Sequence, residues 1–215
     1  MSVLERIASK QGRRDEVPNR DLARVLVEAA DRAGIVEIVD NLQNRDANIQ
    51  SDCIKVLYEI GYLRPELIAP YVSELLGLLD SKHNRMVWGA MIALGLIAGL
   101  RADELYPHCD RIKAAISRGS VITVDNGMKI LATIAGSNRE YAVSIFPYLL
   151  DHLTSCRQKE VPQHAEKVLA AVGDDNRQRF IETVEGRMRD ASGTQIARLK
   201  KVIGQAKAGD GRSRK

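Results

Sequence analysis

Aromatic residues are scarce in this chain, making up 4% of its 215 residues. A core with so few large rings must be built mainly from Leu, Ile, Val and Ala, the side chains used in close helix packing. Cysteines are also few. The three thiols, Cys53, Cys109 and Cys156, form no CxxC pair. We expect them to be reduced and structural, as is usual inside a cell.

Long apolar runs are missing as well. A membrane-spanning helix needs about 20 mostly apolar residues in a row. The best candidate, residues 86–100, contains three glycines and stops at Arg101. The amino terminus does not resemble an export signal, because Glu5 and Arg6 interrupt its only apolar stretch. These absences predict a cytoplasmic protein with no membrane partner.

Recognisable catalytic chemistry is also absent from the sequence. No nucleophilic serine or cysteine is placed beside a base, and no GxxxxGK[ST] phosphate loop occurs. His152 and Cys156 stand at i and i+4 and can share a helix face, but two ligands do not make a zinc site. We therefore expect no enzyme activity, no cofactor and no metal, with a surface histidine beside a structural cysteine.

The chain does contain an internal repeat. Similar segments begin at Cys53, Met91, Gly127 and Ala165 and read CIKVLYEIG, MIALGLIAG, GMKILATIAG and AEKVLAAVG. Steps of 37, 37 and 38 residues separate the equivalent leucines, and a fifth copy fits after 34; these anchor residues are Leu57, Leu94, Leu131, Leu169 and Ile203. Such a period is typical of helical hairpins that bury their apolar stripes by stacking on their neighbours.

Each repeat is expected to contain a first helix, A, and a second helix, B, separated by turn residues. The A helices are predicted at residues 35–43, 66–79, 102–117, 139–154 and 175–189. The B helices are predicted at residues 48–60, 84–98, 121–135, 160–172 and 193–206. Before them, an irregular first hairpin is predicted to contain a helix from Asp21 to Ala33 that ends at Gly34.

Composition divides the chain into three parts. Residues 1–20 are predicted to form a short helix and a linker, residues 21–206 a single solenoid domain, and residues 207–215 a disordered basic tail. Residues 177–215 hold 11 Lys+Arg against 4 Asp+Glu, whereas residues 1–176 hold 21 against 24. The positive charge therefore comes from one end of the chain.

The segment from Ile68 to Ile97, IAPYVSELLGLLDSKHNRMVWGAMIALGLI, resembles a HEAT repeat. It has a proline early in helix A, an Asp at the turn and Ala-Leu-Gly near the end of helix B, and the proline recurs at Pro107 and Pro147. The Arg that the family often carries early in helix B is replaced by Gln50, Val87, Val124 and Pro162, which removes the usual Asp–Arg ladder. The resemblance implies a right-handed all-α solenoid of about five hairpins, whose B helices line a concave face that binds partners.

One position of the B helices is rich in lysine. Two residues before each anchor stand Lys55, Ile92, Lys129, Lys167 and Lys201. If B helices line the concave face, the four lysines form a row of cations along it. The alternative is that they are ordinary solvated side chains, and Glu59 and Asp125 would weaken the positive field.

The repeat that lacks the lysine has apolar residues in the same column, namely Trp88, Ile92 and Leu96. Residues four apart share a helix face, so an exposed row would be an apolar patch of the kind that marks a partner site. The alternative is burial of this helix by the curvature of the array, by the amino-terminal segment or by self-association.

These patterns predict a non-enzymatic scaffold or adaptor that binds a protein partner with an acidic segment. Trp88, Ile92 and Leu96 would be its apolar anchor, and the lysines would supply complementary charge. The alternative is nucleic-acid binding through the lysine row and the basic carboxy-terminal region. DNA glycosylase activity is disfavoured, because it needs several aromatic rings beside a carboxylate, and the row offers only Trp88 and Asp125.

Overall fold

The computed structural model describes residues 2–209, and within that range every regular element is a helix. The chain forms two compact units, the first ending at Gly127 and the second beginning at Met128. The α-helices are α1 (Val17–Glu28), α2 (Arg32–Asp40), α3 (Ala47–Leu63), α4 (Val72–Gly77), α5 (Asn84–Ile97), α6 (Ala102–Leu105), α7 (Cys109–Arg118), α8 (Val121–Ser137), α9 (Arg139–Ser155), α10 (Val161–Val168), α11 (Arg177–Met188) and α12 (Gly193–Ala208). Short 3₁₀ helices lie at Val3–Arg6, Asn41–Gln43, Pro65–Leu67, Ala69–Tyr71, Leu78–Asp80, Tyr106–His108, Gln158–Glu160 and Leu169–Ala171.

The first hairpin differs from the predicted one. Helix α1 starts at Val17, inside the predicted linker, and ends at Glu28, five residues before the predicted end at Ala33. The chain reverses at Ala30, whose φ of 49° is in the left-handed region. Asp31 then caps α2, because its side chain accepts a hydrogen bond of 2.9 Å from the Gly34 amide. Gly34 therefore belongs to the first turn of α2 and does not end α1.

The segment before α1 is packed against the first unit. The buried Asn19 side chain accepts a 2.9 Å hydrogen bond from the Ala8 amide and donates one of 2.6 Å to Asp52 on α3. Asp52 also accepts a 2.7 Å hydrogen bond from the Ser9 amide. Ile7 is fully buried in the core. These contacts tie the amino-terminal residues to helix α3.

Prolines shorten two of the predicted A helices. Pro70 lies in the 3₁₀ helix Ala69–Tyr71, so only Val72–Gly77 remains α-helical in that repeat. Pro107 interrupts the next A helix in the same way. A proline has no amide hydrogen and clashes with the preceding turn, which explains both breaks. Pro147, in contrast, lies inside α9 without ending it.

The anchor residues of the repeat lie in the cores of the two units. Leu57, Leu94 and Leu131 are fully buried, and Ile203 is nearly so. Leu169 is only half-buried and begins the 3₁₀ helix that follows α10. Four of the five anchors are therefore buried as the repeat predicts, and the exception is Leu169 in the fourth copy.

An ion-pair clamp joins successive repeats of the first unit. Asp80 is the last residue of the 3₁₀ helix Leu78–Asp80. It accepts hydrogen bonds from Arg111 at 2.8 Å and from Arg118 at 2.9 Å. Both arginines belong to α7 of the next repeat. The Arg111 hydrogen bond is the main cause that lowers the pKa of Asp80. The chain thus makes an Asp–Arg connection although it lacks arginine at the family's usual position.

In the second unit, α11 packs against α9 and α12, and α10 also contacts α12. Phe180 on α11 is completely buried in this core. Helix α12 continues to Ala208, two residues beyond the predicted domain end. Residues 210–215, which contain most of the predicted basic tail, lie outside the described residues.

Candidate functional site

The predicted site residues are divided between the two units. Helices α3 and α5 of the first unit carry Lys55, Trp88, Ile92 and Leu96. Helices α8, α10 and α12 place three lysines in the second unit, Lys129, Lys167 and Lys201.

The apolar row of α5 is half-buried. Trp88, Ile92 and Leu96 each keep part of their surface exposed. The ring of Tyr58 on α3 lies 6.1 Å from that of Trp88, centroid to centroid, at an angle of 48°. The guanidinium carbon of Arg85 lies 5.1 Å from the Trp88 ring centroid, which is cation–π geometry. Trp88 therefore packs partly on its own unit and leaves part of its surface open.

An exposed tyrosine that the sequence analysis did not single out continues the aromatic contacts. Tyr62, on the last turn of α3, is 58% exposed. Its ring meets Tyr58 edge-on, with 6.1 Å between centroids and an angle of 87°. In the sequence, the four-residue spacing of Tyr58 and Tyr62 on a B helix could have indicated that the two rings share a face. We call Tyr62, Trp88, Ile92 and Leu96 the apolar surface of the first unit.

Lys55 is placed differently from the other predicted lysines. It is only 7% exposed, and its Nζ lies 2.9 Å from Glu16 Oε2 and 2.7 Å from Glu59 Oε1. Burial alone would lower its pKa, but the hydrogen bonds to Glu59, Glu16 and Tyr58 outweigh burial and raise it. An ammonium held by two carboxylates contributes little positive field to a ligand. Lys55 is therefore a structural cation of the first unit and not an open one.

Glu16, just before α1, was also missed by the sequence analysis. Its carboxylate bridges Lys55 on α3 and Arg85 on α5, with Oε1 2.5 Å from Arg85 Nη2. Burial raises the pKa of Glu16, but the hydrogen bonds from Arg85 and Lys55 outweigh burial and bring the pKa below its ordinary value. The amino-terminal segment thus contacts the helix that carries Trp88 but does not bury its apolar row, since Trp88, Ile92 and Leu96 stay partly exposed.

The charges of two lysines in the second unit, Lys129 and Lys167, repel each other. Lys129 and Lys167 are half-buried, and Lys201 is exposed. Burial, followed by the positive charge of Lys167, lowers the pKa of Lys129. A like charge close to a half-buried ammonium disfavours its charged form. Lys129 and Lys167 therefore lie within electrostatic reach of each other on successive B helices.

Lys201 belongs to the same neighbourhood. The pKa of Glu166 is lowered mainly by its hydrogen bond from Arg198, and the charges of Lys201 and Lys167 lower it further. The Arg198–Glu166 pair is bidentate, with N–O distances of 2.9 and 2.8 Å. We call Lys129, Lys167 and Lys201 the lysine surface of the second unit.

His152, which the sequence treats as a surface histidine, faces another imidazole. Its ring lies 4.8 Å from that of His164, centroid to centroid. Burial, with a smaller contribution from the charge of His164, lowers the pKa of His152 to about 4. The side chain is therefore neutral at neutral pH.

No helix within residues 2–209 is long and apolar enough to cross a membrane. No family model matches the sequence, and no curated protein is significantly similar to it.

Several solved structures have a similar fold. A designed armadillo repeat protein in complex with the peptide (KR)4 is 15% identical, with a TM-score of 0.68 over 86% of this chain and 85% of that one. An engineered protein from a structural genomics consortium is 18% identical, with a TM-score of 0.67 over 97% and 98% of the two chains. Kap121p is 17% identical, with a TM-score of 0.63 over 86% of this chain and 20% of its own. The fold of the chain is therefore an all-α repeat solenoid similar to those of armadillo and HEAT repeat proteins, which confirms the all-α solenoid class that the repeat and the HEAT resemblance predict.

Proposed function

We propose that this protein is a non-enzymatic cytoplasmic scaffold or adaptor that binds an acidic segment of a protein partner through its B helices. The fold supports protein binding, since one of the similar designed proteins is in complex with a peptide. That peptide, (KR)4, is basic, whereas the lysine surface of this chain favours the opposite charge. The proposal therefore takes from the similar structure only that this fold can bind a peptide, and not the charge of the ligand.

The lysine surface is the observation that carries the proposal. Lys129, Lys167 and Lys201 lie on successive B helices, and Lys129 is partly desolvated and repelled by Lys167. Without a ligand this arrangement disfavours the charged form of Lys129. A carboxylate placed between the two ammonium groups would replace repulsion by attraction, and half-burial strengthens that attraction relative to bulk water. Acidic side chains therefore complement this surface.

In the proposal, the apolar surface of the first unit is a separate binding surface for apolar residues of the partner. Trp88 and Tyr62 offer ring faces and edges at least partly open to solvent. Large aromatic side chains held in place by their neighbours are the residues that most often dominate binding energy. Arg85 and Tyr58 hold the Trp88 ring, so little side-chain freedom would be lost on binding.

Binding is tested on the full chain with synthetic peptides that combine a run of Glu and Asp with a few apolar residues. Peptides with Lys in place of the acidic residues are the charge control. Trp88 is the only tryptophan, so its fluorescence reports contact with the apolar surface, and calorimetry gives the affinity.

The lysine surface is tested by charge reversal. We expect Lys129→Glu or Lys167→Glu to weaken binding of the acidic peptides by about tenfold or more. Lys200→Glu, a neighbouring exposed position on α12 outside the column, is the matched control and should change affinity by less than about threefold. Trp88→Ala should cost about 30-fold if the ring is an anchor. Equal affinities for acidic and basic peptides, or no response to Lys129→Glu and Lys167→Glu, would contradict the proposal.

Measurements at different ionic strengths distinguish nucleic-acid binding through the same lysines from peptide binding. Phosphate contacts make affinity fall steeply with salt, with little dependence on Trp88. An anchored peptide should survive moderate salt and be lost with Trp88→Ala. Tight, steeply salt-dependent binding of oligonucleotides together with no peptide binding would replace the proposal with its alternative. Sedimentation of the free chain shows whether a second copy occupies the apolar surface.

A further inference from the structure

Three side chains that ligate metals converge at the turn between α9 and α10 in the second unit. His152 is in the last turn of α9, Cys156 directly follows that helix, and His164 is on α10. One ring nitrogen of each histidine and the Cys156 sulfur all lie within 4.8 Å of one another. Nε2 of His152 is 3.0 Å from Nδ1 of His164.

The cluster is partly buried. His164 is 1% exposed, and His152 and Cys156 are half-buried. A fully buried imidazole is uncommon unless its nitrogens serve a hydrogen-bond network or a ligand. Peptide binding through the B helices uses none of these three side chains, so that function does not account for the cluster.

The position of Cys156 is fixed by a neighbouring helix. Arg187 on α11 donates a 2.8 Å hydrogen bond to the Cys156 carbonyl and one of 3.0 Å to the Leu153 carbonyl. It also donates a 3.0 Å hydrogen bond to the Gln158 side chain in the turn that follows. These contacts hold the end of α9 and the turn to α10 in place.

We propose that His152, Cys156 and His164 form a binding site for Zn²⁺. This ion favours imidazole nitrogen and thiolate sulfur in tetrahedral geometry, with Zn–N of about 2.0–2.1 Å and Zn–S of about 2.3 Å. Two nitrogens of such a tetrahedron are about 3.3 Å apart, close to the 3.0 Å between the histidine nitrogens. Small movements of the half-buried His152 and Cys156 would complete the three-ligand arrangement, and a water molecule would take the fourth position.

Binding has a defined proton balance. The Cys156 thiol loses its proton to solvent and the sulfur binds as thiolate, so one proton is released per ion. Each imidazole stays neutral, with its single proton on the nitrogen that faces away from the ion. The N–H···N contact between the two rings is replaced by two N–Zn bonds. The ion would join the end of α9 to α10 across the turn of this repeat.

The test uses the full chain, freed of metal by a chelator, and titrated with Co²⁺ as a spectroscopic probe. We expect one equivalent of Co²⁺ to produce a sulfur-to-metal charge-transfer band and the ligand-field bands of four-coordinate Co²⁺. One equivalent of Zn²⁺ should remove both. Zn²⁺ should also raise the Tm of the wild-type chain, because only the folded state holds the three ligands together.

Variants at the half-buried positions identify the ligands. Cys156→Ala should abolish the charge-transfer band, and His152→Ala should weaken Co²⁺ binding by at least about 100-fold, since loss of an outer partner alone costs about 10–100-fold. Circular dichroism checks that both variants remain helical. His108→Ala and Cys109→Ala, at the adjacent His–Cys pair of the first unit, are matched controls that should bind as the wild type does. Absence of the charge-transfer band in the wild type, or binding unchanged by Cys156→Ala and His152→Ala, overturns the proposal.

Discussion

The ammonium group of Lys55 lies 2.9 Å from the carboxylate of Glu16. These residues are far apart in sequence, one before α1 and the other in the middle of α3. Because of this contact, the charge of Lys55, which the repeat places in the predicted row of cations, is neutralised within its own unit. The predicted row of cations therefore loses Lys55 and is shorter than the repeat implies.

Glu16 is expected to stabilise the first unit. Replacing it by Gln removes a charge-assisted partner from Lys55 and Arg85, but Glu59 remains 2.7 Å from the Lys55 ammonium. We therefore expect a loss of about 1–2 kcal/mol in the free energy of unfolding, measured with urea. Glu104→Gln, in an exposed pair with Arg101, is the control and should cost less than about 0.5 kcal/mol. Equal effects of the two substitutions would show that the Glu16 bridge is no stronger than a surface pair.

The contribution of Glu16 should depend on pH. Although burial raises its pKa, hydrogen bonds from Arg85 and Lys55 bring the folded-state pKa below the ordinary value of 4.5. The stabilisation is therefore fully present above pH 4.5 and is lost as the pH falls through the folded-state pKa. The stability difference between wild type and Glu16→Gln should be constant near neutral pH and shrink in acid. A difference that stays constant down to about pH 3 would contradict the assigned ion pairs.

Gly136 is expected to tolerate no side chain. A Cβ at this position of α8 would lie 2.1 Å from the backbone carbonyl oxygen of Ala170. We expect Gly136→Ala to destabilise the protein by about 1–3 kcal/mol, because backbone must move to admit the methyl group. Gly204→Ala, at an exposed position of α12 with open space around it, should instead stabilise by about 1 kcal/mol. Thermal unfolding of both variants checks the opposite signs.

The Asp80 clamp should couple neighbouring repeats of the first unit. A double-mutant cycle with Asp80→Ala and Arg111→Ala is expected to give a coupling energy of about 0.5–1 kcal/mol, since both side chains are partly exposed. The long, single contact of 3.4 Å between Arg24 and Asp21 on α1 is the control pair. Its cycle should give less than about 0.3 kcal/mol. Similar values for both cycles would contradict a special role for Asp80.

The B helices could be predicted well from the sequence. Anchors such as Leu57 and Leu94 recur with apolar neighbours at helical spacing, and this local periodicity defines both the helix and its buried face. The A helices were predicted less well. Pro70 and Pro107 are visible in the sequence, but whether a proline begins, breaks or merely bends a helix depends on its neighbours, as Pro147 inside α9 shows.

The sequence by itself determined the repeat, the helical class and the solenoid fold. Apolar periodicity is a local property, so the helices and their repeat can be read directly from the sequence. Only the tertiary structure decided the surroundings of each polar side chain. Lys55 and Lys129 hold equivalent places in the repeat, yet one is enclosed by Glu16 and the other lies near Lys167. Likewise, His164 reaches His152 only because α9 and α10 pack against each other. Charge and ligand chemistry act over a few ångströms, and contacts between distant parts of the chain set those distances.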